Sequence, residues 1–313
     1  MHDILTLFKH EPGITGITIS DDCITMARIQ RNQDTSPTLT KCVQRRFFGP
    51  YELNNELKVL SKELGLKRSH CTTLLPDNDY TLMLTDTPKV PPNELISAIR
   101  WQVKDLIDWP VDETTFEIFP APVAADISAQ KSTYVLAANN EGIQKCADLL
   151  SAAKINLQSI DTHEMALRNI GMLLPEVEQG IAILWLNNIN GTLIIIRNGE
   201  IHLTRTISLG LDKLSDQLDQ ESNSDILVLE IQRSLDYYET RFQTSPIPSI
   251  MLAPGIITVA PWLPSAIKQS LGLKAPEIKL EDHLKNNTDA PTVLPSDYFI
   301  AIGAALRHEA ATP

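Results

Sequence analysis

Apolar and polar positions alternate with a period of two at the start of the chain. "GITGITISDDCITMARIQ" (13–30) reads as two short strands joined by a tight acidic turn at Asp21 and Asp22. "TLTKCVQRRFFG" (38–49) continues as a third strand. The period then lengthens to that of an amphipathic helix in "ELNNELKVLSKELGL" (52–66), which stops at Gly65, and "HCTTLLP" (70–76) returns to a strand. Three strands, a helix and a strand open an α/β chain.

A second block begins with the strand "YTLMLTD" (80–86) and the punctuation Pro88, Pro91 and Pro92. Asn93 is placed to cap a helix running to about Ile107. At about 100° per residue, Leu95, Ile96, Ile99, Val103, Leu106 and Ile107 share one stripe, and Trp101 points away from it. The strands "TTFEIFPA" and "STYVLAA", a helix near 141–153 and the strand "LQSIDTH" complete the order of a small ferredoxin-like split-βαβ unit.

From Gly180 a third block runs through the strands "IAILWL", "TLIIIR" and "EIHLTRTI", with Asn198-Gly199 as a hairpin turn between the last two. Leu227, Ile231, Leu235, Tyr238 and Phe242 then mark one face of a helix, and "IPSIMLAPG" is a further strand. A helix over about 262–271 and a Pro- and Asn-containing stretch near 285–295 lead to a last helix, "DYFIAIGAALR". The first and third blocks share a plan of strand hairpin, extra strand and helix. That repetition predicts two related lobes around a ligand cleft.

Composition narrows the function. The 313 residues suit about two domains. The net charge of −12 repels a phosphate backbone, so nucleic acid is a poor partner. Cys23, Cys42, Cys71 and Cys146 form no CxxC pair and have no His beside them, which predicts reduced structural thiols; the seven histidines fail to cluster, which predicts no metal site. No stretch approaches the roughly 20 apolar residues that span a bilayer. Ile4, Leu5, Leu7 and Phe8 could form one amphipathic turn against a membrane or partner, or a frayed terminus. The chain is expected to be cytoplasmic.

Three stretches, taken in order, carry a family resemblance: the hairpin at 16–29, "AIRWQVKDLIDWPVDE" at 98–113 and "EIQRSLDYY" at 230–238. The chain resembles the actin-like ATPase superfamily, within it the type IV pilus assembly PilM family, and most closely the MshI branch that serves mannose-sensitive haemagglutinin (MSHA) pili. The resemblance implies an α/β, actin-like (ribonuclease-H-like) two-lobed fold with an inserted 1C subdomain, as in PilM and FtsA. Its implied boundaries are 1–78 for the first part of 1A, 79–160 for 1C, 161–178 for the return to 1A and 179–295 for 2A and 2B. Residues 296–313 would form a C-terminal helix on 1A. It also implies a partner, the cytoplasmic N-terminal tail of a PilN- or MshJ-like inner-membrane protein, held in a groove between 1A and 1C, and a link to the pilus assembly ATPase.

An actin-like nucleotide site needs two phosphate hairpins, an Asp to organise Mg²⁺ waters and a glycine pair beside adenosine. In the first hairpin the family's Asp and Gly positions hold Thr18 and Ser20, and a later basic position holds Thr25. In the second, Trp185 stands at the acidic position and Asn187 at the Gly position. Thr192, Arg205 and Gly210 keep the family residues, and Leu211 replaces a second Gly. The adenosine pair reads Ala253-Pro254-Gly255, and Pro254 lacks an N–H. Glu230 and Arg233 remain competent for ribose and adenine, or form an exposed helix face. Three concordant losses predict no ATP hydrolysis, no catalytic residue and no required cofactor, with ATP and Mg²⁺ binding as the alternative.

Arg100, Trp101 and Trp109 carry the partner-binding expectation, because Trp and Arg anchor protein interfaces. Trp101 either contacts a partner or packs on the neighbouring lobe of its own chain. The sequence therefore predicts a pilus assembly scaffold with a degenerate nucleotide site. The alternatives are an ATP-binding PilM-like regulator and the cytoplasmic part of a type II secretion GspL-like protein. The latter predicts a membrane helix after the fold, and none precedes Pro313.

Overall fold

A computed structural model of the chain describes residues 13–31, 36–124, 131–216, 218–286 and 296–307. The apolar run at 4–8 and most of the stretch at 285–295 lie outside them. The chain forms two compact units: residues 1–79, 141–170 and 280–313 make the first, and 80–140 and 171–279 the second.

The first unit is built on a six-stranded sheet. Its strands are β1 (Ile14–Ile19), β2 (Cys23–Gln30), β3 (Thr38–Arg46), β4 (His70–Leu74), β8 (Leu157–Asp161) and β13 (Lys285–Asn286), in the order β13-β3-β2-β1-β4-β8. The first three strands form an antiparallel meander, and β4 and β8 then add parallel to β1. Helices α1 (Gly49–Glu63) and α3 (Asn140–Ala152) bury Leu57, Leu60 and Leu150, with Ala153 just past α3, against Ile17, Ile24 and Met26 of the sheet. Helix α4 (His163–Gly171) follows β8.

Helix α9 (Tyr298–Ala305) is buried along its whole length. It lies so close to β1 that a Cβ on Gly16 would collide with the Ala301 carbonyl oxygen. Around its C-terminal end, Arg31 donates to the Leu306 carbonyl (2.6 Å), Asn169 donates to the Gly303 carbonyl (3.0 Å) and Arg307 pairs with Asp161 (2.8 Å). These contacts satisfy polar groups that burial would otherwise leave costly.

The second unit holds two sheets. One is the three-stranded antiparallel sheet of β5 (Tyr80–Asp86), β6 (Thr114–Pro120) and β7 (Ser132–Asn139), in the order β5-β7-β6. Helix α2 (Leu95–Val103) covers it, burying Ile99 and Val103 against Phe116, Val135 and Ala137. The other sheet, β11-β10-β9-β12, comprises β9 (Ile181–Leu186), β10 (Gly191–Arg197), β11 (Glu200–Ile207) and β12 (Ile250–Leu252). Asn198 and Gly199 both have positive φ (51° and 78°), as the tight turn between β10 and β11 requires. Helices α5 (Leu211–Leu214), α6 (Gln220–Phe242), α7 (Ile256–Val259) and α8 (Leu263–Leu271) complete the unit.

Three expectations for the second block change. The helix and strand placed at its end are α3 and β8, and β8 pairs with β4 in the first unit's sheet. Leu150 and Ala153 find their apolar partners in that unit's core, so the inserted strand module closes near Asn139 rather than 160. Helix α2 also stops at Val103, not Ile107, and Leu106 is 65% exposed instead of joining the stripe. Asp105 and Asp108 oppose the negative end of a helix dipole there, and Pro110 disfavours helical backbone at Trp109. At the other end a 3-10 turn over Pro92–Glu94 precedes α2, and Asn93 makes no capping bond.

Candidate functional site

The positions that would contact a nucleotide are distributed over both units, and each is taken where it stands. In the first unit, the β1–β2 turn closes on itself. The Ser20 N–H and hydroxyl both donate to the Cys23 carbonyl, at 2.8 and 3.2 Å. Asp21 and Asp22 are exposed at the tip; Arg46 offsets Asp22 at 3.6 Å, and the negative charge left there still opposes a phosphate. Thr18 sits opposite Thr25 across the hairpin and supplies no charge for a metal shell.

In the second unit, Asn187 occupies its own turn. Its Oδ1 accepts the N–H groups of Ile189 (2.8 Å) and Asn190 (2.7 Å), and its amide donates to Asn190 Oδ1 (2.7 Å). The N–H groups of Asn187, Ile189 and Asn190 in this turn are therefore taken by protein acceptors. A phosphate would have to displace them. Gly210 lies directly beneath: a Cβ there would overlap the Asn188 carbonyl. Trp185 is half-buried opposite Thr192 across β9 and β10, so the indole stands where the family pattern has a carboxylate.

After β12, Gly255 has φ +93°, and its N–H donates to the Glu277 carboxylate at 3.0 Å. An acceptor from the chain itself thus fills a donor that close approach of a nucleoside would use. On α6, Glu230 is half-buried and shared between Arg205 of β11 (3.5 Å) and Arg233 one turn on (3.3 Å). Its oxygens face guanidinium groups rather than open space.

The first unit also contains a cavity of about 190 Å³ at the carboxyl ends of β1 and β4. Thr18, Thr73, Leu75, Cys146, Leu149 and His163 are among its lining. The His163 Nδ1 lies 2.8 Å from Asp77 Oδ1. Burial pushes the Cys146 thiol pKa up, and Asp79 adds to that effect, so the sulfur is held away from the reactive thiolate. Sequence reasoning missed this cavity because its walls come from elements far apart in the chain. It also missed Glu277, although the Asn-rich run at 187–190 is a legible signal for a self-capped turn.

Of the three partner-binding candidates, Arg100 and Trp101 are exposed, Trp101 at 73% with Lys104 Nζ 5.4 Å from its ring centroid. Arg100 is drawn back over the buried Phe116 ring (5.4 Å), and Trp109 is half-buried beyond the helix end. Trp101 therefore does not find its main packing among the described residues of its own unit.

No protein-family model and no curated protein matches the sequence. Solved structures do. A PilM-PilN type IV pilus biogenesis complex aligns with TM-score 0.74 and 19% identity over 95% of this chain and 98% of that one. The fold is actin-like. The cytoplasmic domain of EpsL, an inner-membrane component of the type II secretion system of Vibrio cholerae, aligns with TM-score 0.50 and 11% identity over 94% of each chain. A nucleotide-free diol dehydratase-reactivating factor aligns with TM-score 0.51 and 8% identity, over 95% of this chain and 99% of that one. At these identities the likeness is one of fold. Among the described residues, no helix is long and apolar enough to cross a membrane, and no group of three or more His, Cys, Asp or Glu side chains is placed to hold a metal.

Proposed function

We propose that this actin-like chain is a PilM-like scaffold of a type IV pilus assembly platform. It binds the cytoplasmic N-terminal tail of a PilN-like inner-membrane protein and does not hydrolyse ATP. The likeness to a chain of a PilM-PilN complex over 95% of this chain carries the reading. Trp101 supports it at the level of residues, because a tryptophan exposed at 73% beside Lys104 is a ready anchor for a peptide. The net charge of −12 favours a tail that carries Lys or Arg. The three family-like stretches at 16–29, 98–113 and 230–238 favour the MSHA branch and an MshJ-like partner. The same stretches support a position on the cytoplasmic face of the inner membrane, reached through its partners, with the assembly ATPase as a further contact.

Absence of turnover is argued from the turns. Asn187 and Glu277 occupy backbone donors that a nucleotide would need, Asp21 and Asp22 repel phosphate, and no carboxylate replaces Thr18 or Trp185. Isothermal titration against a synthetic tail of the inner-membrane partner tests the first claim. The expected result is binding that falls at least tenfold in Trp101→Ala; equal affinity in the variant removes Trp101 from the site. Titration with ATP and Mg²⁺ tests the second. Micromolar binding lost in Glu230→Ala overturns the degenerate reading in favour of an ATP-regulated relative. A type II secretion GspL-like role is the second reading, supported by the EpsL likeness at TM-score 0.50. Selective binding of a type II secretion partner over the pilus tail establishes that role instead.

A further inference from the structure

Strand β6 is an edge of the three-stranded sheet, with β7 as its one neighbour there. Two bonds at the end of the sheet fix where its backbone groups point. Ala121 N–H donates to the Ser132 carbonyl (3.2 Å) and Thr87 N–H to the Lys131 carbonyl (2.7 Å), each in the register of its strand pair. Antiparallel ladders bond alternate residues, so Ser132, Tyr134, Leu136 and Ala138 of β7 serve β6, and the residues between them serve β5. On β6, Thr115, Glu117 and Phe119 therefore turn their N–H and C=O groups to β7, and Phe116 and Ile118 turn theirs outward. Among the described residues nothing else bonds those outward groups.

Sheet edges are guarded by bulges, lysines, proline or cover. The opposite edge, β5, is closed at its end, where Gln102 Nε2 donates to the Asp86 carbonyl (3.2 Å). Strand β6 keeps unbroken register with β7 from Thr114 to Pro120 and carries no Lys or Arg. Pro120, which lacks an N–H, guards only the last position. The charge beside the strand is acidic: Asp112, Glu113 and Glu117 are exposed and form no ion pair among the described residues. Two cations stand by, both engaged. Arg100 lies over the Phe116 ring at 5.4 Å, and Arg241 donates to Ser132 Oγ at 2.7 Å. A second copy fits the edge poorly, because antiparallel pairing of two β6 strands along their full length sets Glu117 against Glu117.

We propose that the outer edge of β6 takes up an extended segment of a protein partner as a fourth, antiparallel strand, and that this segment alternates apolar residues with Lys or Arg. The Phe116 and Ile118 backbone supplies the ladder. Both side chains pack under α2, so the segment's apolar residues lie beside them on that side and its cations stand next to Glu117 on the other. Arg100 opposes cations on the α2 side, which fixes the face that the segment turns to Glu117. The inference goes beyond the tail-binding reading and makes no use of Trp101.

Fluorescence anisotropy with a labelled peptide of about ten residues, Val alternating with Lys, tests it, together with amide exchange followed by NMR. A second peptide has Glu for each Lys, and a third is the lysine peptide N-methylated at its Val residues, whose N–H groups would face the edge. The wild-type chain is expected to bind the lysine peptide at least tenfold tighter than the glutamate peptide, and the N-methylated peptide not at all. Glu117→Lys, at an exposed position, should reverse the preference between the first two. Exchange of the Phe116 and Ile118 amides should slow at least tenfold on binding, while the amides of Thr115, Glu117 and Phe119, already bonded to β7, change little. The proposal is overturned by no binding to the wild type, by equal binding of the N-methylated peptide, by an unchanged preference in Glu117→Lys, or by loss of binding in Trp101→Ala. Protection of Phe116 and Ile118 that rises with protein concentration in the absence of peptide overturns it too, and assigns the edge to a second copy.

Discussion

Single residues decide how the two units tolerate change. Gly16 is the sharpest case, because α9 lies directly over its Cα and a methyl group would meet the Ala301 carbonyl. Overpacking of that kind costs about 1–3 kcal/mol where the neighbour can move. Here the neighbour is backbone of a helix buried on every residue. Gly16→Ala should therefore destabilise the first unit by about 3 kcal/mol or more, read as a fall in urea midpoint. An unchanged midpoint would mean that α9 is free to shift. His202 is the counterpart in the second unit. It lies edge-on to Tyr238 and Phe242, at 5.7 and 4.6 Å between centroids, and its Nδ1 is buried with no hydrogen-bond partner among the described residues. Burial, with a smaller contribution from Arg197, lowers its pKa from 6.5 to about 4. The folded state therefore prefers the neutral ring. The stability this preference confers is complete above pH 6.5 and is lost as pH falls towards 4, because the unfolded chain takes up the proton first. Denaturation followed between pH 7 and 4 should show that loss, and His202→Phe should flatten the profile over this window.

At the scale of elements, α2 separates what is structural from what is presented. Its buried side holds Ile99 and Val103 at zero exposure, and truncating either to Ala should cost about 2–4 kcal/mol through lost burial and a residual cavity. Trp101→Ala, on the opposite side, should change stability by less than about 0.5 kcal/mol, since the ring has little to lose. Measured together by thermal melting, similar costs for Ile99→Ala and Trp101→Ala would show that the indole is packed after all. This helix also shows what was legible beforehand. The period of its apolar positions placed Ile99 and Val103 inside and Trp101 outside, because those residues depend only on local geometry. Its C-terminal end was misplaced because Leu106 and Ile107 extend the same period past the point where Asp105, Asp108 and Pro110 stop the helix. Strand β8 was misassigned for a different reason: a short apolar strand carries no mark of which sheet it joins, and only its pairing with β4 settles that.

For the whole molecule, the question is whether an actin-like fold that resembles nucleotide-binding proteins still carries the thermodynamic signature of a nucleotide. The departures of Thr18, Ser20, Trp185 and Asn187 from the pattern that the sequence resembles could be read from residue types alone. The way the gaps are filled could not, because Glu277 reaches Gly255 from 22 residues away and Arg205 reaches Glu230 from 25. Contacts of this sort use the donors and acceptors that a ligand would otherwise satisfy, so the turns are complete without one. Ligand linkage makes the consequence measurable. A nucleotide bound at one hundred times its dissociation constant would stabilise the native state by about 2.7 kcal/mol. In a unit of this size that is a rise of roughly 5 °C or more in melting temperature. Millimolar ATP with Mg²⁺ is expected to move the melting temperature of this chain by less than about 1 °C, and Asn187→Gly with Glu277→Ala, which releases the occupied donors, should not bring on a rise with ATP. A rise of several degrees in the wild type, lost with Glu230→Ala, would mean that the ligand displaces these internal contacts and that the site is closed rather than vestigial.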